Sequence, residues 1–326
     1  MSLRWNPAFC MALAASFAMA AAGAAVAQSY PSKPISVVVP YPPGGSTDSV
    51  ARLVGERLGA RLGQPVVVEN RPGASGVVAA GAVLRQPADG YTLMLVVSSH
   101  VLIDKTMANL SYSPLRDFRG VGPVVWTDFA LLANPRTAKG SLKEVLEQMK
   151  GDPTSFNWGM VGVNGMGRMA VVQFEDKAGV KLSPVPYQGT APLLTAVSGG
   201  DIDYAMDVVG SFVPQIQAGR VRGLAVSGDK RLPEIPEVPT FAEAGLPEFS
   251  FGMWYGLLAP SATPDAVVDV LSQALAAVLA EPDVRQRLAA MQLQPLVMSP
   301  REFDQRMEQD SREFARLVER AGIRPE

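Results

Sequence analysis

The chain is poor in the residues that carry most enzyme chemistry. One cysteine, Cys10, and one histidine, His100, occur among 326 residues. Cys10 lies in an N-terminal stretch whose only charge is Arg4; it is Ala-rich and apolar from 8 to 25 and closes on Ala25-Val26-Ala27. A basic residue, an apolar run and a small-x-small end describe a secretory leader, residues 1–27, cleaved after Ala27. Ser16 and Gly23 interrupt the run, which favours a leader over an anchor, and Cys10 lacks the small residues that precede a lipidated cysteine. The mature chain then carries no thiol, excluding disulfides, thiolate metal sites and cysteine nucleophiles together. No later apolar run is long enough to cross a bilayer. Positive charge is also scarce. Lys and Arg number 29 against 31 Asp and Glu, with neither a basic footprint for nucleic acid nor a polybasic run for a lipid surface. The expectation is a soluble, exported, periplasmic protein with no cofactor, no metal and no nucleic-acid partner.

Roughly 300 residues remain after the leader, enough for two lobes. Short β-branched runs alternate with helical patterns, the signature of α/β architecture with βαβ units. Strands are expected at 35–39, 66–68, 91–97, 156–161, 184–187, 202–207 and 254–259. Helical spacing marks Val50, Leu53, Val54, Leu58 and Leu62, then 142–149, 193–197 and 213–218, and finally 264–280, 282–291 and 300–320. Two strand-to-glycine-to-helix units, one early and one midway, imply two similar lobes. Extended segments at 121–133 and 221–226 are expected to be the crossings between them, so that 28–121 and 223–326 form one lobe and 122–222 the other.

The first unit contains "PYPPGGSTD", Pro40 to Asp48. The first N–H groups of a helix lack intrahelical partners, and the dipole is positive there. A glycine-rich turn into a helix therefore admits an anion without any cationic side chain. Gly44 and Gly45 clear the approach, Pro42 and Pro43 stiffen it, and Ser46 and Thr47 add hydroxyls. With Gly45 as N-cap, Asp48 falls at N3, where its carboxylate can reach back as in a capping box. Taken alone, such a turn is most often plain punctuation. The second unit, "GVNGMGRMA", repeats the design; Gly162, Gly165 and Gly167 give GxxGxG, with no Gly-Lys-Ser/Thr and no acidic residue ending a following strand to support a nucleotide. Two cradles in different lobes can hold the two ends of one small acid. A charge-assisted hydrogen bond contributes roughly 1.5–3 kcal/mol, and micromolar binding needs about 8, so one cradle falls short where two suffice.

Enzyme readings fare badly. His100 follows "VVSS", and adjacent residues of a strand point to opposite faces, so Ser98 or Ser99 with His100 is a dyad only on paper. No Gly-x-Ser-x-Gly elbow or His-Glu-x-x-His helix occurs. Asp201 and Asp203 flank a turn more readily than they bind metal. Trp158, Trp254 and Tyr255 read as core or cleft-wall aromatics.

The stretches "YPSKPISVVVPYPPGGSTD", "GQPVVVENRPGASG", "PADGYTLMLVVSS", "VPYQGTAPLLTAVSGGDIDYAMD" and "WYGLLAPSATP" resemble the tripartite tricarboxylate transporter substrate-binding proteins, the Bug family, in register across nearly the whole mature chain. The resemblance implies a Venus-flytrap, type II-like binding protein, monomeric, with two α/β lobes and a two-strand hinge. It implies capture of a small carboxylate — a di- or tricarboxylate, an acidic amino acid or an aromatic acid — for a permease of large and small subunits. A protein presenting its ligand to a periplasmic sensor is the alternative, and a periplasmic hydrolase the third. By the same resemblance, the ligand meets Tyr41, Gly44, Gly45, Ser46, Thr47 and Asp48 of the first loop, and Gly162, Val163, Asn164, Gly165, Met166 and Arg168 of the second. Tyr187, Thr190 and Asp207 line the second lobe, and Ser98 follows a first-lobe strand. The second loop departs from the family pattern: a Ser or Thr and a His-Leu pair are usual, where this chain has Gly165-Met166-Gly167 and Arg168-Met169, and Met160 replaces a small polar residue. Fewer hydroxyls point to a less polar ligand, such as an aromatic monocarboxylate. Arg168 is either a cationic anchor or a solvent-facing residue.

Overall fold

A computed structural model describes residues 30–137, 140–151 and 156–325; the expected leader lies outside them. Strands β1 (Ile35–Val39), β2 (Val66–Asn70) and β3 (Thr92–Val97) are parallel, in the order β2-β1-β3. Helices α1 (Ser46–Leu62) and α2 (Val77–Leu84) make the crossovers between them, as the parallel pairing requires. A 3₁₀ turn, Ser98–Leu102, and the short α3 (Ile103–Thr106) follow β3. β4 (Phe118–Ala133) is 16 residues long and serves two sheets. Its first part, to Asp128, pairs with β9 (Gly252–Pro260), which also pairs with β3.

From Phe129 onward β4 pairs with β7 (Tyr204–Val208) and, on its other side, with β8 (Arg222–Val226). β5 (Trp158–Val161) runs parallel to β7 and to β6 (Val185–Tyr187) and completes the second sheet. Helices α4 (Leu142–Gly151), α5 (Met166–Ala178), α6 (Thr190–Gly199) and α7 (Val213–Gln217) belong to this half. The result is a two-lobed α/β fold. One expected crossing differs. β8 pairs only with the second-sheet part of β4, so 223–226 sits in the second sheet rather than starting the return. The chain comes back through β9, whose Gly252 lies opposite Asp128. Sequence shows that 221–226 is extended; only pairing partners show which lobe it joins.

Three apolar clusters hold these sheets. One face of the first sheet packs Val37, Val39 and Leu95 against α1, α8 (Asp265–Ala280) and α9 (Pro282–Ala290). The outer face of the second sheet packs Ala130, Leu132 and Ala205 against α6. The largest cluster spans both lobes, from Met94 and Val96 to Trp158, Met169 and Phe174. After β10 (Gln294–Pro295), which pairs with β4, comes α10 (Pro300–Arg320), opened by a capping box between Ser299 and Glu302. Phe303 of α10 is fully buried against Gly120 and Gly256, where a Cβ would stand 2.6 Å and 2.3 Å from its ring. Further along, Glu313 accepts from Gln173 Nε2 at 3.0 Å and Arg320 pairs with Asp176 at 2.6 Å, both on α5. α10 therefore starts on the first lobe and ends on the second. Among the described residues no helix is long and apolar enough to cross a membrane.

Candidate functional site

The two glycine turns stand at the carboxyl ends of β1 and β5, where open parallel sheets leave a crevice. In the first turn Gly45 is the N-cap of α1, with extended backbone (φ −79°, ψ 171°). Gly44 has φ +87°, a conformation costly for other residues. Asp48 at N3 reaches back as expected, but one residue further: its Oδ2 accepts from Gly44 N at 2.9 Å. Arg52 Nε donates to the same oxygen at 3.0 Å, and Asn70 Nδ2 donates to Oδ1 at 2.9 Å and to the Tyr41 carbonyl at 3.1 Å. The Arg52 hydrogen bond, aided by Gly44 N and Asn70, holds the carboxyl down to about 2. Asp48 is thus a buried structural anion that fixes the turn. Ser46 Oγ lies 2.9 Å from the Tyr255 hydroxyl, to which Thr47 also bonds.

The second turn is built from Gly162 (φ +71°) and Gly165, the N-cap of α5. Gly162 N donates to the Tyr187 carbonyl at 3.0 Å, tying the turn to β6. Gly167 is there for packing, since a Cβ would stand 2.5 Å from the Val161 carbonyl oxygen. Val163 is exposed and Asn164 half-buried. Met166 is buried, and Ser98 Oγ donates to its Sδ at 3.6 Å, so the end of β3 in one lobe touches the start of α5 in the other.

Arg168 takes neither of its two expected positions. Its side chain is largely buried and extends along α5 to Glu175, with Nη1 4.0 Å from Oε2; the same nitrogen is buried with no hydrogen-bond partner. Two turns separate Glu175 from the helix start, so the guanidinium is drawn away from the crevice. Met160 is buried in the interlobe cluster. The Tyr187 ring packs on the outer cluster of the second lobe and against Gly159.

The floor of the crevice comes from the strands beside the hinge. Asp207, next to last in β7, is 6% exposed and accepts from Thr190 Oγ1 at 2.5 Å. Burial pushes its carboxyl up to about 6, opposed by Thr190 and the Val208 N–H. Burial raises the Tyr255 hydroxyl of β9, opposed by Ser46 and Thr47, and the Asp207 charge adds to the rise. Tyr41 is held up by burial and bonds Ser99. Sequence reasoning missed Asn70 and Ser99 and left Tyr255 undecided between core and cleft. The alternation of β9 carries the missing signal: Trp254 belongs to the interlobe cluster, and its neighbour Tyr255 therefore faces the other way.

His100 has no serine partner. It is buried against Tyr112 and Phe118, with ring centroids 6.0 Å and 5.3 Å away, and its Nε2 is unpartnered. Burial lowers it to about 4, against the Pro114 carbonyl. Asp203 Oδ2 accepts from Asn157 N at 3.0 Å as a turn residue. Among the described residues no group of His, Cys, Asp or Glu has the arrangement of a metal site.

Two α/β lobes, a paired-strand hinge at β4 and β9, and a crevice between helix N-termini define the periplasmic binding-protein class. Solved relatives place it further. BugD is 31% identical with a TM-score of 0.75, over 91% of this chain and 100% of that one. MatC of Rhodopseudomonas palustris with bound malate is 31% identical with a TM-score of 0.73, over 89% and 100%. A second R. palustris protein, solved with adipate, is 30% identical with a TM-score of 0.78, over 91% and 100%. BugT of Bordetella pertussis is 33% identical over 276 residues, 84% of this chain and 85% of BugT. Residues 50–323 match the tripartite tricarboxylate transporter family receptor. The chain belongs to that family, whose members are substrate-binding proteins and not enzymes.

Proposed function

We propose that this protein is exported to the periplasm, captures a small carboxylate between the Tyr41–Asp48 and Gly162–Met166 turns, and delivers it as a monomer to a membrane permease. The observation that carries this reading is the pair of glycine-capped helix starts, one in each lobe, with the second brought against the first lobe where Ser98, after β3, meets Met166. Free N–H groups at such termini hold an anion without lysine or arginine. Ser46 and Thr47 add hydroxyls on one side and Thr190 on the other. Malate and adipate bound to two relatives supply the ligand class.

The second turn sets the finer preference. Where hydroxyls would serve a second carboxylate, this chain presents the thioether of Met166, and Arg168 is withdrawn toward Glu175. A ligand with one carboxylate and a less polar body, an aromatic acid among them, fits that surface better than citrate. A thermal-shift screen of malate, adipate, succinate, citrate and benzoate, with mass spectrometry of the copurifying molecule, tests both levels. Tight citrate or succinate binding with none for benzoate would overturn the finer preference. Silence from every acid, with a non-acidic molecule copurifying, would overturn the carboxylate reading.

A further inference from the structure

Asp207 is a buried acid in a crevice read as a carboxylate site, and this sets two negative groups against each other. It stands at the cleft end of β7, 6% exposed. Among the described residues no lysine or arginine forms an ion pair with it; its side-chain partner is the neutral Thr190 hydroxyl of α6. The titratable group opposite is Tyr255 of β9, whose hydroxyl also touches Ser46 at the start of α1. One tyrosine thus bonds the first anion cradle and feels the charge of the acid. A carboxylate held at the α1 terminus brings a second negative charge beside the tyrosine that feels buried Asp207, and like charges disfavour double ionisation.

We propose that Asp207 meets the ligand as a neutral carboxylic acid, so that capture of a carboxylate takes up one proton from solvent onto Asp207. In that form the Asp207 hydroxyl donates toward the crevice while Thr190 still bonds the other oxygen. This rests on the carboxylate reading above. Burial, against the Thr190 and Val208 hydrogen bonds, has already brought Asp207 up to about 6, so a nearby anion carries it further in the same direction. His100, the chain's single histidine, is buried beside Tyr112 and Phe118 with a depressed affinity for protons, and burial also raises Asp128 in β4 and Asp304 in α10, so the Asp207→Asn comparison isolates the proton taken up at Asp207.

Titration calorimetry with malate, adipate and benzoate, largely ionised throughout, decides the matter at pH 6, 7 and 8. Where only the protonated form binds, affinity falls roughly 50-fold between pH 6 and pH 8. At pH 8 the observed enthalpies in phosphate and Tris then differ by the difference between the two buffers' ionisation enthalpies, multiplied by about one proton. Asp207→Asn keeps the shape and a donor, so it is expected to bind with no pH dependence and tighter than wild type at pH 8. Equal affinity at pH 6 and 8, with the same enthalpy in both buffers, would overturn the proposal. So would a folded Asp207→Asn that loses binding at every pH, because an ionised Asp207 would then be receiving a donor from the ligand. If the variant fails to fold, the two-buffer comparison on wild type stands as the test. If none of the three acids binds at any pH, and succinate and citrate are silent too with a non-acidic molecule copurifying, the carboxylate reading falls and takes the proton uptake with it.

Discussion

Asp48 shows how one side chain turns an anion cradle into a fixed geometry. Its two oxygens accept from Gly44, Arg52 and Asn70, three sites separated by up to 26 positions in the chain. Asp48→Asn removes the ion pair and unbalances these donors, with an expected loss of about 1–3 kcal/mol in urea unfolding and weaker ligand binding. Gly44→Ala meets no neighbour within 4 Å, so its penalty is purely conformational. A loss of about 1 kcal/mol is expected from forcing alanine to φ +87°, read from the midpoint of urea unfolding. The acid limb of stability belongs to this scale too. His100 is lowered to about 4 in the fold from an ordinary 6.5, so the unfolded chain takes up its proton first. The stability it supports is complete above pH 6.5 and is lost as pH falls from there toward 4; Asp48, lowered to about 2, adds its own loss below its ordinary 3.8. Asp207, raised to about 6 from an ordinary 3.8, works in the opposite sense and gains stability as pH falls through that window. The His100 loss is therefore read in Asp207→Asn, whose melting temperature should fall from pH 6.5 to 4.5 while that of Asp207→Asn with His100→Gln stays flat.

At the level of elements, the start of α5 and the whole of α10 set how the lobes meet. Gly167 lets α5 begin directly against β5. Gly167→Ala should lift the helix start away from the Val161 carbonyl, costing about 1–3 kcal/mol and loosening the Ser98–Met166 contact. A crystal structure with the α5 terminus unmoved would contradict this. α10 is anchored by Phe303 in the gap over Gly120 and Gly256, and Phe303→Ala should cost about 3–5 kcal/mol by calorimetry. Loss of the Ser299 cap should cost about 1 kcal/mol. α10 was legible as a helix from its spacing, and α5 from the repeat of the strand-to-glycine-to-helix design. That α10 ends on the second lobe was not, since Gln173–Glu313 joins residues 140 positions apart.

The whole molecule is a pair of lobes with two strands running between them, and the carboxylate reading requires those lobes to move. Small-angle scattering should show the radius of gyration falling when a bound acid closes the crevice, and an unchanged radius would count against the clamp. The lobes themselves were readable from the alternation of strand and helix and from the repeated glycine turn. The return crossing was misplaced by some 30 residues in sequence, at 221–226 instead of Gly252. Extended backbone looks the same in either sheet, and hydrogen-bond partners alone distinguish them. The site divides in the same way. Tyr41 to Asp48 and Gly162 to Met166 stand at helix starts because local chemistry puts them there, whereas Tyr255 and Asn70 reach the same place from distant strands.

What the sequence determined by itself is everything that rests on neighbours a few positions apart: the glycine N-caps, the Asp48 tie, the want of a basic face, and the motifs that mark the family. What the tertiary structure alone decided is the state of groups whose partners lie far along the chain. Arg168 is withdrawn toward Glu175 by the length of its own helix and by burial. Asp207 becomes a weak acid because β4, β7, β9 and α6 together exclude water from it. Solvation and charge proximity depend on position in space, and no short stretch of sequence contains them.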